Sequence, residues 1–531
     1  MTRRPALPAA ALASALALAG LAAPAPAAAA PTLVYCTDAA PQGFDPAQYQ
    51  TIATDNAAGM VLYDTLLRMK PGTTELAPGL AQSWQTSADG RVVTLHLRPG
   101  VAFHATPWFT PTRPLDSSDV LWSLQRMADP AHPGHAAAAG GFPYWAGLGL
   151  ATLVKAISAP DKATVRIELA RPDASFLADL TLPGVGAVLS AEYAAQLQKT
   201  GGLAQMDTRP VGTGPFVLRG VQKDAVVRYA ANPAWWGGAP RIGQLVFAIT
   251  PDTGARAQRV RAGECQVAPV LAAQLPALEA DPRLAVLRAR PLNTWYVSTN
   301  VKRPFLSDPR LRRALALAVD KATLVKAAFA GLAEPAGSFL PPGMAGRDPT
   351  IADPHDPARA AALVKASGYD GRVLRLFAVA GDARAAQAVA LLQADWAAIG
   401  VKVAPETMEL GEFIRRTGRG EHDLAWASWF SDNGDPDDFL APNLACAAVG
   451  HGTSKSQWCD PAFDAQLAAG RASTDPAVRA AAYRRAQALL HDAAPLIPVA
   501  HEVDPYAVSR RVHGFAVTPF GQSDFRGVSM D

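Results

Sequence analysis

Apolar residues along this chain fall into two kinds of pattern. Short continuous runs, such as Leu33-Val34-Tyr35-Cys36 and Val92-Val93-Thr94-Leu95-His96-Leu97, read as strands, the second entered through an Asp89-Gly90 turn. Longer stretches repeat at helical spacing. Met60, Leu62, Tyr63, Leu66 and Leu67 mark one such stretch and predict an amphipathic helix. In the C-terminal half, helices are predicted to begin at Asp308-Pro309, Asp356-Pro357 and Asp475-Pro476. An Asp there can accept orphan N–H groups as N-cap, and a Pro at the first helical position lacks an N–H that would have no partner anyway. The first of these helices should bury Leu311, Leu315, Val319 and Leu324. Another should run from Ala383 to Ile399, stop at Gly400 and lead into a strand at Val401-Lys402-Val403. Helix followed by strand, repeated, predicts an α/β architecture with covered sheets. The chain shows no fixed-period repeat and no low-complexity linker beyond its N-terminal segment, so its domains should be interleaved by several crossovers.

A length of 531 residues exceeds what one hydrophobic core can serve, so two or three domains are expected. Charged residues at 18% against 49% apolar argue for a folded chain. The net charge of +3 is small, and no basic stripe alternates with aromatics, which speaks against nucleic-acid binding. At the N-terminus, Arg3 and Arg4 precede an Ala/Leu run from Ala9 to Leu21 and small residues leading to Ala-x-Ala sites near Ala28 or Ala29. This is the pattern of a secretory signal peptide over residues 1–29, and it points to an exported, periplasmic protein. No later stretch offers eighteen uninterrupted apolar residues.

Four cysteines, Cys36, Cys265, Cys446 and Cys459, suggest two disulfides in an exported chain, with three possible pairings. Cys446 and Cys459 could close a local loop worth about 3 kcal/mol in the loop-entropy picture; Cys36 would then join Cys265. A zinc site is the competing reading, but no cysteine or histidine set has ligand spacing, and His132 and His135 read as loop residues. No metal or other cofactor is expected.

The chain lacks a Gly-x-Ser-x-Gly elbow, a Walker A loop and a His-Glu-x-x-His motif. Gly212-Thr213-Gly214-Pro215 reads as a tight turn beside a strand. An enzyme is therefore not the expected reading. Chemistry concentrates instead in Trp426-Ala427-Ser428-Trp429-Phe430-Ser431-Asp432-Asn433-Gly434-Asp435-Pro436-Asp437-Asp438, an aromatic strand running into a loop with four acids. Loops at strand ends are where α/β proteins place ligand groups. A carboxylate there, backed by aromatics, suits an ammonium group. The alternatives are a calcium loop, for which the closing Glu is missing, or a solvated turn with helix-capping Asp.

Ser431-Asp432-Asn433-Gly434-Asp435-Pro436-Asp437 also resembles the ligand loop of bacterial dipeptide-binding proteins, solute-binding protein family 5. Further blocks follow in the family's order: Gly43-Phe44-Asp45-Pro46, Pro78-Gly79-Leu80-Ala81, His96-Leu97-Arg98-Pro99-Gly100-Val101, Pro210 to Phe216, Gly263-Glu264-Cys265-Gln266-Val267, Gln393-Ala394-Asp395-Trp396 and Gly411-Glu412-Phe413. The resemblance implies a two-lobed α/β periplasmic binding protein of the type II, Venus-flytrap kind, with an extra subdomain in lobe 1. Lobe 1 would comprise residues 30–60, 209–290 and 503–531, the subdomain residues 61–208, and lobe 2 residues 291–502, with hinge crossovers near 290 and 502. It implies disulfides Cys36–Cys265 and Cys446–Cys459. It implies a peptide cargo delivered to the inner-membrane permease of an ABC importer, and the chain is read as a monomer.

By the same resemblance Asp432 takes the peptide's α-amino group. Trp429 lies on the strand leading there, with Ser428 and Asn433 beside it, and the Thr51 to Thr54 segment closes over the ligand from lobe 1. One departure stands out. The family's carboxylate-gripping Arg sits in a Pro-rich loop that this chain replaces with Ala378-Val379-Ala380-Gly381-Asp382-Ala383-Arg384, leaving Arg384 as the nearest candidate. Trp108 to Arg113, Phe142-Pro143-Tyr144-Trp145 and Trp458-Cys459-Asp460-Pro461 look more like the Sap branch, linked to antimicrobial-peptide uptake. The alternative cargo is therefore a longer or antimicrobial peptide, or a non-peptide such as haem.

Overall fold

Two large sheets organise the chain, described here from a computed structural model covering residues 1–2, 31–450 and 453–531. The expected signal peptide lies outside the described residues, apart from its first two. The first sheet has seven strands in the order Leu284–Ala289, Asp504–Ser509, Val267–Pro269, Thr32–Thr37, Gln244–Ile249, Val226–Ala231, Phe216–Gln222. Its centre is parallel, with Tyr35 opposite Phe247, and its flanks are antiparallel. The second has six strands in the order Ala333–Pro335, Leu496–Glu502, Asn293–Thr299, Leu424–Phe430, Leu374–Val379, Val403–Met408. The chain crosses between the sheets at residues 290–292 and again at Val503, so a few residues form each hinge crossover.

The first half of the strand Leu424–Phe430 shows why its sequence lacks polar alternation. Leu424 and Trp426 enter a core that also holds Val297, Leu376 and Trp396, under the helices Pro309–Ala318, Lys321–Ala328 and Ala383–Ala398. Ala425 and Ala427 face the opposite core with Tyr296, Phe377 and Phe439, under Pro436–Leu444, Pro461–Ala472 and Pro476–Ala493. A strand buried on both faces cannot show polar alternation.

The insertion after residue 60 contains a four-stranded sheet in the order Ala81–Thr86, Val92–Leu97, Thr164–Leu169, Val154–Asp161. It does not have a core of its own. Val93, Leu95, Val165 and Ile167 belong to one continuous cluster with Leu33, Tyr35 and Phe247 of the seven-stranded sheet. Both disulfides form, Cys36–Cys265 with Cα atoms 5.8 Å apart and Cys446–Cys459 at 4.4 Å, within the span a disulfide bridges.

The Asp-Pro starts behave as their chemistry requires. Asp308 accepts from Arg310 N at 2.8 Å, Asp356 from Arg359 N at 2.9 Å and Asp475 from Ala477 N at 2.8 Å. Three expectations differ from the structure. The stretch Met60–Leu67 is not a helix: a short π-helical turn, Asp55–Gly59, precedes it, and the chain then runs extended into the strand Leu67–Met69. Its carbonyls are claimed from elsewhere, Val61 O by Phe216 N at 3.1 Å and Leu62 O by Gly214 N at 3.0 Å, which removes them from any helical ladder. The apolar side chains are buried there because the segment threads the core, not because it is amphipathic. The helix expected to include Val319 and Leu324 is two helices, broken where Asp320 caps Lys321–Ala328 by accepting from Thr323 N at 3.0 Å. The strand expected at Val401 begins at Val403, after Gly400 adopts φ +84°. No helix among the described residues is long and apolar enough to cross a membrane.

Candidate functional site

The acidic loop leaves the sheet at Phe430 and enters the helix Pro436–Leu444, so its four acids are held by a strand end and a helix start. Three of the four already have work inside the protein. Asp435 caps the helix by accepting from Asp437 N at 2.9 Å and pairs with Arg479. Asp437 pairs with Arg471 at 2.8 Å. Asp438 ties the loop back on itself, accepting from Ser431 Oγ and Asp432 N, each at 2.9 Å. Among the four, Asp432 alone has neither an arginine partner nor a backbone group of the loop or helix to hold.

Asp432 lies where the lobes meet. Burial pushes its carboxyl up to about 6, opposed by a hydrogen bond from Gln50 of the first lobe. Across the interface Asp55 is pushed up to about 7, chiefly by burial and further by the charge of Asp432. Its Oδ2 accepts from Gln522 Nε2 at 3.2 Å, while its Oδ1 is buried without a partner. Asp438 and Asp179 are raised well above the usual carboxylate range, again by burial first and by neighbouring acids next. Asp432 and Asp438 titrate as a pair, and the burial of both means the pair holds a proton more readily than either carboxyl would alone in water. Among the described residues no Lys or Arg offsets any of these four raised carboxyls. Such a cluster is poised for a cation. Among the described residues no set of three ligating side chains converges as a metal ion would need, and carboxylates of this kind can accept charge-assisted hydrogen bonds from an ammonium.

The other expected site residues divide. Ser428 and Trp429 line a cavity of about 610 Å³ together with Trp295, Trp426, Phe413 and Lys455. Asn433 is buried and fully engaged: its amide nitrogen donates to Asp179 Oδ1 at 2.7 Å, across the lobes, and its oxygen accepts from Asp435 N at 2.8 Å. Thr51 caps its own turn through Thr54 N at 3.4 Å, and Thr54 is buried with its hydroxyl accepting from Gln42 N at 3.0 Å. The residues this segment gives to the cleft are Asp55 and its neighbour Ile52, which lines a second cavity of about 730 Å³ with Phe430, Phe520, Glu502 and Arg384. Arg384 opens the helix Ala383–Ala398 and reaches that cavity with its charge already paired to Glu502. Glu502 also accepts from Trp295 Nε1 at 2.9 Å, so the two cavities adjoin at this trio. Sequence reasoning missed Asp55, Asp179 and Lys455 as members of this region, while Asp438 stood among the four acids of the loop. Asp55 stood one residue from the segment singled out, but nothing local shows that it comes to face Asp432.

The pattern defining the bacterial extracellular solute-binding proteins, family 5 (middle part), matches residues 75–451. The chain belongs to this family. Its family 5 relatives include di/tripeptide-binding protein 2 of Pseudomonas aeruginosa (strain UCBPP-PA14), 43% identical over 94% of this chain and 95% of that protein. Heme-binding protein A of Haemophilus influenzae (strain KW20 / Rd) is 37% identical over 94% of this chain and 92% of that one. Among solved family 5 structures, HbpA2 from Haemophilus parasuis superimposes with a TM-score of 0.90 at 35% identity, covering 94% of this chain and 100% of that chain. A dipeptide-binding protein from Pseudoalteromonas sp. SM9913 in complex with Met-Leu gives 0.77 at 32% identity, covering 94% and 100%. These matches carry the two-lobed family 5 fold over the described chain.

Proposed function

We propose that this family 5 protein is a periplasmic receptor that captures peptides by their free α-amino group and hands them to the permease of an ABC importer, without chemical turnover. The observation that carries this reading is the group of buried carboxyls, Asp432 and Asp55 foremost, gathered between the lobes with no cation of the protein's own. An α-ammonium placed between them restores their charge and forms charge-assisted hydrogen bonds, worth roughly 1.5–3 kcal/mol each. The peptide ligands named for the relatives support the same chemistry. Residues 30–60, 209–290 and 503–531 form lobe 1 in this reading, 61–208 its subdomain and 291–502 lobe 2, with closure about the crossovers at 290–292 and Val503. The ligand lies along Ser428, Trp429 and Asp432 of lobe 2, covered from lobe 1 by the segment of Thr51 to Asp55; Thr54 and Asn433 serve by holding that segment and the loop in place. Arg384 meets a carboxylate only by sharing its pairing with Glu502.

Calorimetry on ligand-stripped protein tests the reading. Di- and tripeptides with a free amino terminus should bind, and N-acetylated versions of the same peptides should bind at least tenfold more weakly. Absence of binding by any peptide from two to five residues removes the peptide reading. A haem cargo, suggested by the name of one relative, would instead show as a bound mass and a haem absorption band in freshly purified protein.

A further inference from the structure

The 610 Å³ cavity beside the strand Leu424–Phe430 is not needed to hold an ammonium, and its chemistry is opposite to that of the carboxyl cluster. Its walls are apolar, built from Trp295, Trp426, Trp429, Leu410, Phe413 and Ile414. Leu410 and Ile414 are exposed, an unusual setting for large aliphatic residues and a sign that the cavity is open on that side. Set among these walls is Lys455, only 9% exposed. Its ammonium makes one long hydrogen bond, to Thr453 O at 3.3 Å, lies 6.0 Å from the Phe413 ring, and has no carboxylate partner among the described residues. The indole N–H groups of Trp426 and Trp429 are buried and also lack an acceptor. The single acid on the wall, Asp382, is already used: it accepts from Arg384 N at 2.8 Å and lies 3.6 Å from the same guanidinium. An ammonium with one long hydrogen bond and no carboxylate therefore stands among apolar walls, and two of the wall residues, Trp426 and Trp429, carry indole N–H groups without an acceptor.

Buried donors are ordinarily paired, so this arrangement asks for an acceptor from outside the protein. We propose that this cavity binds a carboxylate of the peptide ligand, with Lys455 as the charge that selects it and the indoles of Trp426 and Trp429 as further donors. The inference rests on the peptide-receptor reading and adds what that reading leaves open, the recognition of the ligand's negative end. The geometry along the chain agrees. Ser428 on the cavity wall and Asp432 at the carboxyl cluster are four residues apart, at most about 13 Å along a chain that is strand as far as Phe430. A tripeptide spans about 10 Å and a tetrapeptide about 13 Å, so a short peptide can bridge the two with the reach of the Lys455 side chain. Burial lowers the Lys455 ammonium to about 8, so at neutral pH it still carries its proton and can meet an anion. The carboxylate could come from the peptide's C-terminus or from an acidic side chain; both offer the same two oxygens.

The experiment is calorimetry on the full ligand-stripped protein with Ala-Leu-Ala, its C-terminal amide, Ala-Glu-Ala and Ala-Gln-Ala, repeated for Lys455→Met and Trp429→Phe. If the C-terminal carboxylate is held, amidation weakens binding to the wild type by about tenfold or more. If a side-chain carboxylate is held, Ala-Glu-Ala binds better than Ala-Gln-Ala by a similar factor. In either case the difference disappears in Lys455→Met, and Trp429→Phe reduces it. Equal wild-type affinity for all four peptides overturns the inference, as does full discrimination retained in Lys455→Met. Should Lys455→Met fail to fold, the wild-type comparison and Trp429→Phe still decide. If the wild type binds none of the four, the peptide reading itself falls and the inference with it; tight binding without discrimination sinks the inference alone.

Discussion

Asp432 and Asp55 are two carboxyls that no arginine or lysine among the described residues offsets. Each is a buried carboxyl with a raised pKa, about 6 and about 7, and each sits close enough to feel another acid. Replacing Asp432 by Asn keeps the shape and removes the charge; peptide affinity should fall by about ten- to hundredfold while thermal stability of the ligand-free protein holds or rises. Calorimetry paired with thermal unfolding checks both halves. The direction of the pH effect follows from the same shifts. Because the folded protein binds these protons more tightly than the unfolded chain, its stability is greatest below about pH 4 as far as these groups are concerned, and falls as pH rises until it is lost above about 6 to 7. Binding runs the other way. An ammonium ligand needs the carboxylates ionised, so peptides should bind more weakly at about pH 5 than at about pH 7.5 and release protons on binding near pH 6, measurable by calorimetry in buffers of different ionisation enthalpy. Proton uptake instead of release would contradict the carboxylate assignment.

At the scale of single elements, local chemistry decides starts and stops, and close backbone approach decides the exceptions. Among the described residues five α-helices open on an Asp-Pro pair with the Asp as cap, at Asp308, Asp356, Asp435, Asp460 and Asp475. The segment Met60–Leu67 loses its helix to carbonyl bonds made by the turn at Gly212 to Phe216. That turn needs its glycines: a Cβ on Gly212 would come within 1.9 Å of Leu62 O. Gly212→Ala should therefore destabilise the protein by about 1–3 kcal/mol through forced displacement of the Leu62 backbone, seen as a lowered urea midpoint with unchanged slope. A neutral result would mean that the two segments are more loosely held than their hydrogen bonds imply.

Across the whole molecule, the lobes are held together by few direct bonds and pushed apart by like charge. Asn433 donates to Asp179, and Ala174 N donates to Arg471 O at 2.9 Å, while Asp55, Asp179, Asp432 and Asp438 crowd the same interface. Closure should thus depend on a cation or on protons in the cleft. Small-angle scattering of ligand-free protein should show a larger radius of gyration at about pH 7.5 than at about pH 5, and peptide should reverse the increase. Asn433→Ala removes one of the bonds between lobes, so it should shift the ligand-free population further open and weaken peptide binding several-fold without touching the ligand. If the radius is the same at both pH values, with and without peptide, the proposed closure does not occur.

Much of this protein is set by local sequence. The apolar strand Leu424–Phe430, the Asp-Pro helix starts and the stop at Gly400 follow from side-chain periodicity, capping and backbone sterics, which act over a few residues. The acid-rich loop is legible for the same reason: four acids after an aromatic strand are a local fact. Which of those acids is left over is not, because Arg471 and Arg479, which neutralise two of them, come from a helical region far along the chain. Nor does the sequence show that Asp55 meets Asp432, or that Lys455 shares a cavity with Trp426 and Trp429. Those pairings arise when two sheets, joined by crossovers of a few residues, bring distant segments to one interface. Electrostatic and cavity environments depend on distance in space, and only the folded chain fixes that.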